Sequence, residues 1–277
     1  MGRVGGENFP VALRLLPRTT RAHLLAIYGF ARLVDQLGDA APGDRLAHLD
    51  WLETEVERAY EGRAVHDVMV RLSPTLTSLG LAPAPLLDLI EANRRDQRVS
   101  RYATFDALVD YCAYSANPVG RLVLAVFGAS TPEREMLSDR ICTALQVIEH
   151  TQDVGEDASQ GRIYLPQQDL ARFGCAEEEL TQPSASPALR SVVALQAARA
   201  RALLESTQPL VSCLHGTARV AVAAFGAGGL AALDSIERAD FDVLALRCVP
   251  RRSGIAGHAA VLLATAARSS KRPGEGK

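Results

Sequence analysis

The sequence predicts an all-α fold, and three observations carry that prediction. Nearly half of the 277 residues are apolar (48%) while only 5% are aromatic, with alanine and leucine dominant, a composition that favours packed helices over sheets. Apolar residues recur at helical spacing between well-marked caps and breakers. No stretch alternates apolar and polar residues between hairpin turns, as half-buried strands do.

Pro17 and Thr19/Thr20 precede a first long helix carrying Leu24, Leu25, Ile27, Phe30, Ala31 and Val34. Pro42-Gly43-Asp44 breaks it, and the Asp44 carboxylate can cap a second helix through Leu46, Leu49, Leu52 and Val56, closed by Gly62. Helices follow at 65–79 and 84–95, separated by Gly80 and Pro83, then at 105–114 and 118–127, the last ending at Gly128. Thr131-Pro132 is a strong helix start: the hydroxyl accepts from a free N–H, and proline sits where its missing N–H costs nothing. That helix runs into an acidic cluster. Two more long helices are expected at 188–215 and 217–239. The stretch 183–187 reads as an interhelical loop, so 1–268 is expected to form one domain. The remaining 269–277, with Lys271, Arg272 and Pro273, reads as a disordered tail.

Several function classes are disfavoured at this stage. The charge is balanced (30 basic against 32 acidic residues), without the basic surplus that nucleic-acid binding needs. Cys112, Cys142, Cys175, Cys213 and Cys248 are odd in number, scattered and lack a CxxC pair, so reduced thiols in a cytoplasmic protein are expected. No apolar signal-peptide core follows Met1. The longest uncharged run lies between Arg219 and Asp234 and is too short for a spanning helix, which needs about 20 apolar residues. Its small residues suit an interior helix or one beside a tunnel. Neither a GxSxG nucleophile, a Cys/His pairing nor a GxxxxGK loop is present.

The chemistry lies in two acidic clusters about a hundred residues apart, Asp35-Gln36-Leu37-Gly38-Asp39 and Asp153-Val154-Gly155-Glu156-Asp157. Each has aspartates at i and i+4, which project from one side of a helix, one turn apart. Facing each other, such pairs would repel unless cations sat between them. Magnesium held by carboxylates usually keeps waters and shares its other positions with substrate phosphates. A metal-dependent site for a diphosphate is the expectation. On the first helix Tyr28, Arg32, Asp35 and Asp39 form one stripe at 4-3-4 spacing, and Arg32 could grip diphosphate oxygens through forked hydrogen bonds. A plain Arg32–Asp35 salt bridge is the alternative. Gln146, Glu149 or His150, Asp153 and Asp157 form the matching stripe; His150 has no partner histidine at zinc spacing and reads as a packed or surface residue. Arg162 could reach back to a phosphate or simply tie down its loop. The segment 111–120 is aromatic and then small, either a helix break that admits an apolar substrate or an ordinary junction.

These residues, in this order, resemble the squalene/phytoene synthase family. The second signature is matched by Asp153-Val154-Gly155-Glu156-Asp157 with Gly161-Arg162-Ile163-Tyr164-Leu165-Pro166, the first by Tyr28, Arg32, Asp35 and Asp39, and the helix break between them by 111–120. Within the family, Glu7-Asn8-Phe9-Pro10-Val11, Asn93-Arg94-Arg95-Asp96-Gln97, 115–121 and 236–242 resemble the hydroxysqualene synthase branch of bacterial squalene and hopanoid biosynthesis. Gln36 stands where many relatives have aspartate. Glu149 and Gln152 stand where phytoene synthases commonly have Asn and Arg. After Val249 the match fades.

The resemblance implies an isoprenoid-synthase-like helical bundle around a central cavity, and a lyase reaction in which presqualene diphosphate and water give hydroxysqualene and diphosphate. It implies more than one Mg²⁺ on Asp35, Asp39, Asp153, Glu156 and Asp157, with the four aspartates, Tyr28 and Tyr111 catalytic. Phe9, Arg32, Asn117, Arg121, Gln146, Glu149 and Arg162 would bind the isoprenoid diphosphate. No NADPH is expected, since no nucleotide signature is present. A functional partnership is expected with a presqualene diphosphate synthase and with an enzyme that reduces hydroxysqualene. The lipid-like substrate makes a peripheral membrane contact plausible for this otherwise cytoplasmic protein. The competing readings are a condensing enzyme making presqualene diphosphate or phytoene, and a non-catalytic assembly or binding member of the family.

Overall fold

The computed structural model describes residues 16–269. Phe9 and its neighbours, and 270–277 of the expected tail, lie outside the described residues. Among the described residues no strand forms; one isolated bridge joins Arg101 and Ile163.

The N-terminal half builds one core. α1 (Arg18–Asp35) buries Leu24, Ile27, Phe30, Leu33 and Val34 and runs on into a π turn, Gln36–Ala40. α2 (Arg45–Tyr60) begins where expected, with Asp44 Oδ1 accepting from Ala47 N at 3.1 Å. α3 (Asp67–Leu79) ends at Gly80, whose φ of 57° is left-handed and favours a residue without Cβ. α4 (Ala84–Asp96) lays Leu86, Leu89, Ile90 and Asn93 inward.

α5 (Phe105–Ser115) and α6 (Asn117–Val126) meet at the break expected in 111–120, with Ala116 between them at φ −118°. α6 stands between two cores: Leu122, Val123 and Val126 belong to the N-terminal one and Leu124 to the C-terminal one. α7 (Pro132–Gln152) starts under the Thr131 cap, Oγ1 accepting from Arg134 N at 3.3 Å. It packs on α6 at Gly120, where a Cβ would fall 2.4 Å from Ser138 Oγ and 2.5 Å from Cys142 Sγ. Gly120→Ala is therefore expected to cost about 1–3 kcal/mol by overpacking, read as a lower urea midpoint. A midpoint equal to the parent's would show that the two helices separate freely.

The C-terminal half departs from expectation in three places. The helix expected over 188–215 is two, α10 (Pro187–Leu204) and α11 (Thr207–Cys213). Pro209 explains the break: it has no N–H for the Glu205 carbonyl and its ring crowds that oxygen. The helix expected through the second acidic cluster breaks into a separate short α8 (Val154–Ser159), and α9 (Gln167–Phe173) and a 3₁₀ turn, Glu177–Thr181, form where no helix was expected. A final helix, α13 (Arg252–Ser269), follows the faded part of the sequence match. It lies on α12 (Gly216–Arg238), the apolar run already singled out, most of whose small residues are buried.

Candidate active site

The first acidic cluster closes α1. Asp35 is its last residue, and Asp39 falls within the π turn, where Ala41 N donates to Gln36 O at 2.8 Å. The expectation of two carboxylates on one regular stripe is thus corrected, because this turn is wider than an α turn. Gly38 lets the turn lie against α4: a Cβ there would sit 2.0 Å from Asn93 Oδ1. The second cluster is corrected similarly. Asp153 (φ −100°, ψ 15°) is a corner between α7 and α8 and not the interior of a long helix. Asp157 N still donates to Asp153 O at 2.8 Å, so the pair remains one turn apart.

The two clusters meet through Arg162, whose Nη2 donates to Asp39 Oδ1 at 2.8 Å. Arg162 is desolvated, yet the Asp39 hydrogen bond and charge raise its pKa and hold it cationic. On the second segment's side, the Asp157 carboxylate lies 3.7 Å from His150 Nδ1, and the His150 ring stacks on Tyr164 at 3.6 Å between centroids. Arg32 stands 3.9 Å from Asp35, the plain salt bridge, and is half exposed. Tyr28 lies one turn earlier on α1, half buried. Glu156 is exposed on α8 beside Asp157.

Between the clusters lies a buried aromatic box that the sequence reading did not assemble. Asp96, the last residue of α4, accepts from Tyr111 Oη at 2.7 Å and from Tyr164 Oη at 3.3 Å. Tyr102 packs on both rings. Burial raises the Asp96 pKa; the Tyr111 hydroxyl, Arg162 and His150 work against that rise, and Asp39 adds to it. Burial and then the Asp96 charge push the Tyr111 phenol well above its ordinary value, so it keeps its proton. A signal for Asp96 was present, since Leu89, Ala92/Asn93 and Asp96 form one helical stripe that begins in the core.

An apolar cavity of about 220 Å³ opens between α6, α7, α11 and α12, walled by residues such as Val119, Val123, Ile141, Leu145, Val222 and Phe225. Gln146 and Glu149 bring polar atoms to its lining. The Gln146 amide meets His150 Nε2 at 3.1 Å, so the wall continues into the Asp157 side of the acidic site. Asn117 and Arg121 are not part of this lining. Both face a separate surface cleft, where Thr143 Oγ1 donates to Asn117 Oδ1 at 3.0 Å and Arg121 forks onto Asp139 at 3.1 and 2.6 Å. Their four-residue spacing puts them on one face of α6, while Val119, Gly120 and Val123 occupy another. The structure thus sets Asn117 and Arg121, both expected at the substrate, apart from the lining of the apolar cavity.

Among the described residues, no group of three His, Cys, Asp or Glu side chains is close enough to cage a metal ion. The donors at hand are all carboxylate oxygens on two facing segments; Asp35, Asp39 and Asp153 are exposed and the Asp157 side chain is 23% exposed. Magnesium fits such an open set, because it favours one or two carboxylates with waters and substrate phosphates over an all-protein cage.

An all-α bundle that joins two acidic segments through an arginine beside an apolar cavity defines the class of protein to which the comparisons point. A family model described as squalene/phytoene synthase matches residues 3–253, and the chain belongs to that family. Within it, the chain is 39% identical to the hydroxysqualene synthase of Sinorhizobium fredii over 210 residues, 74% of this chain and 70% of that protein. The hydroxysqualene synthase of Zymomonas mobilis is 39% identical over 215 residues, 76% and 71% of the two chains. The crystal structure of squalene synthase HpnC from Alicyclobacillus acidocaldarius superposes with a TM-score of 0.81 at 43% identity, covering 86% of this chain and 90% of that one. A dehydrosqualene synthase superposes with a TM-score of 0.83 at 24% identity, which speaks for the fold alone. The family, the all-α fold and the enzyme class read from the sequence are borne out.

Proposed function

We propose that the protein converts presqualene diphosphate and water to hydroxysqualene and diphosphate. The observation that carries this reading is the meeting of the two acidic segments through Arg162 and Asp39, with the Asp157 side joined through His150 and Gln146 to the wall of an apolar cavity. The likeness to curated hydroxysqualene synthases supports the choice of branch.

Magnesium bound by Asp35, Asp39, Asp153 and Asp157, with Glu156 alongside, would neutralise charge on the leaving diphosphate. Arg162 and Arg32 add fixed positive charge and forked donors for the same oxygens. Loss of diphosphate leaves a cyclopropylcarbinyl cation, which needs dry walls while it rearranges. Residues such as Val123, Ile141, Leu145 and Phe225 provide them and keep bulk water out. Tyr111, still protonated and held by Asp96, presents an oriented dipole beside the site, as a pre-placed group that needs no reorganisation. Gln146 and Glu149 are the larger polar groups of the lining, where the single quenching water would be held. Attack of that water forms the C–O bond and releases one proton, for which the Glu149 carboxylate is an acceptor. Synthesis of presqualene diphosphate and reduction of hydroxysqualene would fall to partner enzymes.

The test is product analysis by gas chromatography–mass spectrometry, with purified protein, Mg²⁺ and presqualene diphosphate but no NADPH. Hydroxysqualene is expected, with turnover lost in EDTA and restored by Mg²⁺. Phytoene from geranylgeranyl diphosphate, or presqualene diphosphate from farnesyl diphosphate, in place of hydroxysqualene would assign the chain to a condensing branch. Full activity in EDTA would refute the metal assignment.

A further inference from the structure

The outer face of α13 is unlike that of a helix meant for water. Ser253, Gly257, Ala260, Val261, Ala264 and Arg268 are exposed along it, Val261 at 65%. A surface helix normally carries charged residues opposite its packed side; here the packed side lies on α11 and α12, and between Ser253 and Arg268 the exposed residues are alanine, glycine and valine apart from Thr265. The segment leading into α13 continues the pattern, with Leu246 and Val249 exposed at 54% and 56%.

Charge supplies the second observation. Arg247, Arg251 and Arg252 stand exposed in and beside this segment, Arg268 lies near the end of α13, and none of the four makes an ion pair among the described residues. From Val243 onward the sequence carries seven lysines and arginines against one acid, Glu275, in a chain whose net charge is −2. The basic charge is therefore gathered at the end of the chain that also exposes apolar side chains.

We propose that α13 and the segment before it dock on an anionic phospholipid surface, the apolar side chains entering the headgroup boundary and the arginines meeting lipid phosphates. The segment before α13 touches the second acidic segment. Gln152 at the end of α7 donates to the Cys248 carbonyl, and Leu244 lies where a Cβ on Gly155 would be 2.9 Å away. Docking would hold the second acidic segment near a bilayer, where an isoprenoid diphosphate partitions. That benefit rests on the proposed reaction; the docking itself does not.

The experiment is co-sedimentation of the full chain with vesicles of phosphatidylglycerol and phosphatidylcholine in equal parts, against phosphatidylcholine alone. Binding to the anionic vesicles is expected, weakening as salt screens the arginines. Arg251→Ala/Arg252→Ala should weaken partition by roughly fivefold for each arginine removed. Val261→Glu/Ala264→Glu should abolish it, with helical circular dichroism and turnover of detergent-dispersed substrate unchanged. No partition of the parent, or variants that bind as the parent does, would overturn the proposal. So would a concentration-dependent dimer dissolved by Val261→Glu/Ala264→Glu, because a second copy would then be what covers the face. Since binding is read without turnover, failure here and failure of the proposed reaction are distinguishable.

Discussion

Asp157→Ala is expected to lose turnover by roughly a thousandfold or more while retaining its helical circular dichroism and thermal midpoint. The Asp157 side chain is partly open to solvent, and its neighbour His150, 3.7 Å away, is otherwise held by its stack on Tyr164 and its contact with Gln146. No apolar core is built on that carboxylate, so its removal leaves the scaffold standing. On the proposed reaction, what would be lost is an oxygen donor for magnesium, and with it charge compensation that matters most as the diphosphate departs. Asp35→Ala should behave alike, since Asp35 is half exposed at the end of α1. Wild-type turnover in the Asp35→Ala/Asp157→Ala double variant, with normal circular dichroism, would sink the four-aspartate assignment.

Asp96→Asn is expected to lower turnover by roughly ten- to a hundredfold, because Asn cannot accept from Tyr111 and Tyr164 with two carboxylate oxygens. Its stability signature is separable from that loss. The Asp96 pKa is raised in the folded protein, chiefly by burial. A carboxyl with a raised folded pKa binds its proton more tightly when folded. It therefore costs nothing below its unfolded pKa, costs progressively more as pH rises towards the folded value, and the cost is constant above that. The thermal midpoint of Asp96→Asn minus that of the parent should accordingly grow from acid pH towards neutrality. A difference that stays flat with pH would show that Asp96 carries no desolvation penalty. A merely structural defect would lower the midpoint at every pH without this slope.

Local signals carried much of the fold because caps and breakers act over four or five residues. Asp44 and Thr131 cap the helices that they were expected to cap, and Gly80 ends α3 in the left-handed region. The break between α5 and α6 was legible in the change from aromatic to small residues over 111–120. Pro209 could also have been read locally, since proline lacks the N–H that a continuous helix needs at that place. α13 has little contrast between its faces, so periodicity could not announce it; its burial against α11 and α12 is a tertiary fact.

In the site, the sequence alone determined which residue types were available: four aspartates in two spaced pairs, Arg32 and Arg162, and an alanine-rich run for a cavity wall. Spacing along a helix is set by covalent geometry, so pairs at i and i+4 are readable without a structure. Contacts between segments are not. Only the tertiary structure joined Arg162 to Asp39 across more than a hundred residues, drew Tyr111 and Tyr164 onto Asp96, and turned Asn117 and Arg121 away to a separate cleft. Each depends on how helices rotate about their own axes as they pack. That rotation is set by side-chain volumes at distant contacts such as Gly120 against Ser138 and Gly38 against Asn93.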